Sequence, residues 1–273
     1  MLASPLRWVG GKSRLRRQII PLFPPHQRYV EPFGGGGSVL LGKPHSACEV
    51  YADLDPELTN FFTVIRDRPH ALIRAFQWEL VSRARFDELK NTTPETLKPV
   101  ARAARLYYLL NAGWGGELRY PRFQTAIRDA GGGNRLLGAI KHIERRILPV
   151  HERLRNVAIK QGPASEVIAA HDSPKTLFYL DPPYPGNGVN YRLNMRDQEA
   201  HEQLAQQLTT LKGRFIVSSY DRPEIRELYG KQWHYTPIGN VSGMAASGRQ
   251  GRVPNREVLI TNFDPHLTVS AGA

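Results

Sequence analysis

A chain of 273 residues is long enough for one large domain or for a core domain with a substantial insertion, so size excludes neither. Hydrophobic residues make up 41% and charged residues 23%. That is ordinary for a globular protein, and no apolar run approaches the ~20 residues a membrane helix requires. The formal net charge of +12 points to a polyanionic partner.

The first segment, Met1 to Gly11, lacks the basic start and apolar stretch of a secretory signal, so a soluble cytoplasmic protein is expected. Arg7-Trp8-Val9-Gly10-Gly11-Lys12-Ser13 ends like a phosphate-binding P-loop, but the first glycine of that motif would fall on Leu6 and no strand precedes it. The spacing argues against an NTPase. A strand is predicted at Arg28 to Glu31, followed by Glu31-Pro32-Phe33-Gly34-Gly35-Gly36-Gly37-Ser38 and a short helix from Val39. Glycines let a backbone turn sharply and approach a ligand closely, which makes this loop a candidate nucleotide site. The next strand, Glu49 to Asp53, ends in an acid placed where nucleotide-binding sheets hold ribose hydroxyls. Val39 stands where a dinucleotide fingerprint needs its third glycine, which disfavours NAD. The lone cysteine, Cys48, can form no intramolecular disulfide and has no companions for a zinc site. It is read as a buried strand residue, and no metal is expected.

The middle of the chain differs. Pro69 to Leu80, Glu95 to Leu110 and Arg135 to Leu154 read as helices with arginines along them. Residues 61 to 160 hold 19 Lys and Arg against 9 Asp and Glu, a net of +10, while the remainder carries 18 against 16. A basic block in a nearly neutral frame is what a phosphate-tracking surface requires. Between the last two helices, Ala112 to Asn134 is a loop rich in glycine, aromatic residues and arginine.

Strands resume at Val157 to Gln161, Leu177 to Leu180, Phe215 to Ser219, His234 to Ile238 and Glu257 to Thr261. Asp197 to Leu211 reads as a surface helix, with Leu204, Leu208 and Leu211 on its inner face. The most informative run is Asp181-Pro182-Pro183-Tyr184, at the end of an apolar strand. Prolines fix φ and remove N–H donors, leaving a rigid corner rich in acceptors. A flat amine could donate one N–H to the Asp181 carboxylate and one to the Pro182 carbonyl, while Tyr184 stacks on its ring. Adenine N6 and cytosine N4 both present that pair of donors.

Taken together these segments resemble the Dam family (D12 class) of DNA adenine N6-methyltransferases, including phage and prophage members, over nearly the whole chain. Arg7 to Lys12, Glu31 to Gly36, Tyr51 to Asp53, Asp181 to Tyr184, Ile216 to Asp221 and Arg256 to Asn262 match the family's motifs in order. The resemblance implies an α/β fold with a Rossmann-like, doubly wound, mostly parallel sheet that binds S-adenosyl-L-methionine. Residues 1–60 and 156–273 would form the catalytic domain and 61–155 an inserted helical target-recognition domain. It implies cofactor binding by Trp8, Gly11, Lys12, Glu31, Pro32, Phe33, Gly34, Gly36, Asp53 and Asp181, and catalysis by Asp181, Pro182, Pro183 and Tyr184 on a flipped adenine in double-stranded DNA. Arg119, Arg122 and Arg128 are the candidate DNA contacts, and the protein is expected to act as a monomer without metal or membrane.

Three departures are visible. Gly115 replaces the asparagine of the family's recognition segment, and Tyr120 to Asn134 leaves the pattern, so a GATC target does not carry over. Gly162 to Ser165 stands where an acid usually follows the third strand. Serine replaces asparagine at Ser219, which makes Ser219 a further candidate. The competing readings are a cytosine-N4 methyltransferase and a non-catalytic DNA-binding protein on the same fold. The methyltransferase reading would be abandoned if the Asp181 carboxylate were buried in a salt bridge with no cavity linking it to the glycine loop.

Overall fold

A computed structural model describes residues 1–113, 122–123, 135–184, 198–239 and 256–269. The chain runs through α1 (Arg16–Ile19), β1 (Arg28–Glu31), α2 (Ser38–Gly42), β2 (Cys48–Asp53), α3 (Pro56–Asp67), α4 (Pro69–Arg74), α5 (Arg83–Asn91) and α6 (Pro99–Ala112). It continues with α7 (Arg135–Lys141), α8 (Ile143–Leu154), β3 (Val157–Gln161), α9 (Ala164–His171), β4 (Thr176–Leu180) and α10 (Gln198–Thr209). β5 (Arg214–Tyr220), α11 (Pro223–Tyr229), β6 (His234–Ile238), β7 (Glu257–Thr261) and α12 (Pro265–Val269) complete it.

The strands form one sheet in the order β3-β2-β1-β4-β5-β7-β6. The first five run parallel, and β7 is antiparallel to both β5 and β6. Helices cover both faces, so the central strands are buried on both sides: β4 is buried at all five residues. On one face Leu204 and Leu208 of α10 and Ile168 of α9 pack on Phe178, Leu180 and Val217. On the other, Phe61, Tyr107 and Ile147 from the helical segment share a cluster with Tyr51, Leu177, Tyr179 and Ile216. This is the expected Rossmann-like, doubly wound α/β sheet. Its order reverses between β1 and β4, and in open α/β sheets ligands bind outside the carboxyl ends of strands at such a reversal.

Among the described residues, the helical segment shares one hydrophobic cluster with the sheet. α3 begins where Asp55 accepts the Glu57 amide at 2.8 Å, and Pro56 occupies the first turn. It buries Leu58, Phe61, Phe62, Val64 and Ile65, and it packs on β2 and β3 as well as on α6 and α8. The charge boundary near residue 61 is thus not a packing boundary. Several arginines of the segment are also spent on structure. Arg153 is buried, with its guanidinium on Glu49 and the Leu40 carbonyl, and Arg102 pairs with Glu57. Lys141, Arg145 and Arg146 remain exposed.

Four expectations are corrected. Cys48 is exposed, because it is the first residue of β2 and precedes the pairing with β3, which starts at Glu49, while the four residues after it are covered. The helix predicted from Pro69 ends at Arg74, and a separate helix, α5, follows it. The one predicted from Glu95 starts at Pro99. The single helix predicted over Arg135 to Leu154 is two, broken at His142. Among the described residues no helix is long and apolar enough to cross a membrane.

Candidate functional site: a cavity between the glycine loop and Asp181

At the carboxyl ends of β1, β2 and β4 lies a cavity of about 340 Å³. All ten residues singled out for cofactor binding line it: Trp8, Gly11, Lys12, Glu31, Pro32, Phe33, Gly34, Gly36, Asp53 and Asp181. Pro183 also faces it, whereas Pro182 and Tyr184 do not. Asp181 therefore stands on the wall between this cavity and the aromatic side of the corner.

The glycine loop takes its shape from two aromatic rings. A Cβ on Gly34 would lie 2.2 Å from the Tyr51 ring, and Cβ atoms on Gly35 and Gly36 would lie 2.9 and 2.8 Å from Trp8. Gly35 and Gly37 have positive φ, which disfavours side chains there independently. The sequence reading assigned these glycines to ligand approach. The structure shows that they first admit Tyr51 and Trp8. The Tyr51 hydroxyl donates to the Gly35 carbonyl at 2.8 Å, and the Gly35 amide donates to Asp53 at 2.8 Å. The other Asp53 oxygen accepts the Asp55 amide at 2.8 Å. Asp53 thus ties the loop to the end of β2, and burial raises its carboxyl to about 6.

Glu31, at the end of β1, is buried. One of its oxygens accepts the Tyr29 hydroxyl at 2.7 Å and the Leu40 amide at 2.9 Å. Those bonds favour the ionised form, but burial outweighs them and raises the carboxyl to about 8. An acid that holds its proton at neutral pH while lining a cavity is suited to receive a cation, whose arrival would replace the proton.

Asp181 follows the last residue of β4. Lys12 donates to both of its oxygens, at 2.7 and 2.8 Å, and Ser218 of β5 donates to one of them at 2.9 Å. The carboxylate is thus in a salt bridge with Lys12, and it also lines the cavity shared with the glycine loop. Lys12 has its ammonium held by the Gly10 carbonyl at 3.0 Å and sits 4.9 Å from the Tyr184 ring centroid. It belongs as much to the corner as to the loop. The Tyr184 hydroxyl contacts Ser218 at 2.7 Å and Glu257 at 3.2 Å, and its ring meets Tyr220 edge-on at 4.5 Å. Three contacts therefore fix the ring.

Sequence reasoning missed the parts played by Ser218, Glu257 and the Tyr51 ring. Successive strand residues face opposite sides, and on β5 it is Ser218, not Ser219, whose side chain reaches Asp181. Glu257 arrives because β7 is antiparallel. Its first residue pairs with Tyr220, the last of β5, at the end of the sheet where Asp181 lies. Neither signal is local in sequence. Of the candidate DNA contacts, Arg122 is exposed beside Phe123, which packs on Phe86 with ring centroids 5.3 Å apart. Arg119 and Arg128 lie outside the described residues.

The chain is similar to the DNA adenine methylase of Vibrio cholerae, 26% identical with 97% of this chain and 98% of that one covered. It is similar to the retron Ec67 DNA adenine methylase of Escherichia coli, 25% identical with 100% and 98% covered. Among solved structures, the rRNA methyltransferase aviRa of Streptomyces viridochromogenes aligns at a TM-score of 0.37 and 14% identity, over 96% of this chain and 88% of that one. The model of D12 class N6 adenine-specific DNA methyltransferases matches residues 8–242. That span holds the glycine loop, the basic helical segment and the Asp181 corner, and the chain belongs to this family, an adenine-specific DNA methyltransferase.

Proposed function

We propose that the chain methylates adenine N6 at a specific site in double-stranded DNA, with S-adenosyl-L-methionine in the cavity and the target base flipped against Asp181 to Tyr184. The observation that carries this reading is the position of Asp181, on the wall of the cavity and within the corner that ends at Tyr184.

The residues present fit the cofactor. The Asp53 carboxylate, at the end of β2, can accept ribose hydroxyls; Glu31 and Asp181 offer negative charge to the methionine ammonium and the sulfonium. The exposed side chain of Leu54 and Pro163 supply apolar surface for a flat ring. When bound, the cofactor supplies an electrophilic methyl group.

The chain's own contribution is orientation. Asp181 and the Pro182 carbonyl accept the two N6 protons and favour the pyramidal nitrogen whose lone pair can attack. Tyr184, fixed by Ser218, Glu257 and Tyr220, presents a ring for stacking. An amine paired inside a duplex cannot reach this corner, so the base must leave the stack at a cost of a few kcal/mol. Phosphate contacts from the basic helical segment offset that cost, with Arg119, Arg122 and Arg128 in the recognition loop.

The test is methyl transfer from labelled S-adenosyl-L-methionine to duplex DNA, followed by digestion to nucleosides. The label should appear in N6-methyladenine. Label confined to cytosine would overturn the assignment of the base.

A further inference from the structure

Asp181 and Glu257 are connected by an unbroken file of hydroxyl groups. Ser218 Oγ lies 2.9 Å from Asp181 Oδ1, Tyr184 OH lies 2.7 Å from Ser218 Oγ, and Glu257 Oε2 lies 3.2 Å from Tyr184 OH. Four groups thus make three contacts at hydrogen-bond distance. Two hydroxyls supply only two protons, and a carboxylate supplies none. With both acids ionised, the file is one proton short: Ser218 donates to Asp181, Tyr184 donates to Glu257, and nothing fills the contact between the hydroxyls. One added proton completes it.

Methylation of N6 liberates one proton. The nitrogen lone pair forms the new N–C bond, the C–S bond electrons return to sulfur, and the nitrogen is left with a positive charge and two hydrogens. We infer that Ser218, Tyr184 and Glu257 form a relay that carries this proton away from Asp181, with Glu257 as its terminus. Asp181 takes the proton from N6 and passes it to Ser218 Oγ. Ser218 gives its own proton to Tyr184, and Tyr184 gives its own to Glu257. The product nitrogen becomes neutral, Asp181 is again a carboxylate against Lys12, and Glu257 is an acid.

The surroundings favour that direction. The Lys12 ammonium lies 2.7 Å from Asp181 but 3.9 Å from Glu257, so Coulomb attraction holds the negative charge on Asp181. Burial pushes the Glu257 carboxyl up, against the lowering effect of Lys12, and Asp181 adds to the rise. The charged and titratable groups facing Glu257 are Lys12 from the N-terminal segment, Tyr179, Asp181 and Tyr184 from β4 and its corner, and Tyr220 from β5. In this account Ser218 and Glu257 are positioning residues, which act through Asp181 and Tyr184.

The inference rests on the proposed role of Asp181, and the experiment separates the two. Single-turnover formation of N6-methyladenine is followed from pH 5 to 9 with excess protein, S-adenosyl-L-methionine and amplified duplex DNA that carries no methyladenine. The wild-type rate should fall on the acid side, as Glu257 becomes protonated and the relay is filled. Glu257→Gln and Ser218→Ala should each lower the rate at least ten-fold and flatten that acid limb, with cofactor and DNA affinities within two-fold of wild type. In the free protein, carbon-13 NMR of the Glu257 carboxyl should show a shifted titration in Ser218→Ala, although Ser218 does not touch Glu257. Wild-type rates, pH profile and titration in these variants would remove the relay while leaving Asp181 in place. Transfer retained by Asp181→Ala would remove the reading beneath it.

Discussion

The proposed seat of the cofactor beside Glu31 predicts that binding releases a proton. Its carboxyl, raised to about 8 by burial, is about nine-tenths protonated at pH 7 in the free protein. A bound cation in the same cavity stabilises the carboxylate, so the proton must leave when S-adenosyl-L-methionine arrives. Ionising an acid one pH unit below its pKa costs ~1.4 kcal/mol, a factor of about ten in affinity that disappears by pH 9. Calorimetry at pH 7 in two buffers of different ionisation enthalpy counts the protons released per cofactor bound. Wild type should release about 0.9 more than Glu31→Gln, a difference that cancels the cofactor's own titration. Equal release by the two proteins would refute the argument. The sign of the stability effect is fixed as well: the unfolded glutamate ionises near its ordinary value, whereas the folded one holds its proton until about 8. Wild type should therefore lose stability relative to Glu31→Gln as pH rises through that interval.

Two further outcomes follow from the loop and the basic segment. Gly34→Ala places a Cβ 2.2 Å from the ring of Tyr51, which is buried and tied by its hydroxyl to Gly35. It should cost ~1–3 kcal/mol in denaturant unfolding and weaken cofactor binding; an unchanged midpoint would show that the loop can move aside. Arg122→Ala should weaken duplex binding and reduce the slope of log affinity against log salt by about 0.9, the loss of one phosphate contact. An unaltered slope would take Arg122 off the backbone.

Most of the sheet was legible because the strands are short runs rich in apolar, aromatic or β-branched residues bounded by polar or turn-forming ones, and all seven lie within a residue or so of where the pattern put them. The Asp181 corner and the glycine loop were legible for a similar reason, since their chemistry is packed into contiguous residues. What could not be read is what long-range pairing creates. α5 exposes most of its surface and buries only Phe86 and Leu89, too few to mark a period. The charge count did not reveal α3, which begins before the basic block and packs its apolar face on sheet and helices alike. Ser218 and Glu257 gain their meaning only when β5 and β7 pair beside β4, 37 and 76 residues beyond Asp181 in the chain. Glycines were read as ligand contacts, and the rings of Tyr51 and Trp8 that dictate them stand elsewhere in the sequence.

The claim on which the account depends is that the Asp181 carboxylate receives the amine that is methylated. Replacing it with alanine and measuring methyl transfer alongside duplex binding tests this directly. Asp181→Ala should abolish N6-methyladenine formation while leaving DNA affinity largely intact. Near-normal turnover by that variant would contradict the account.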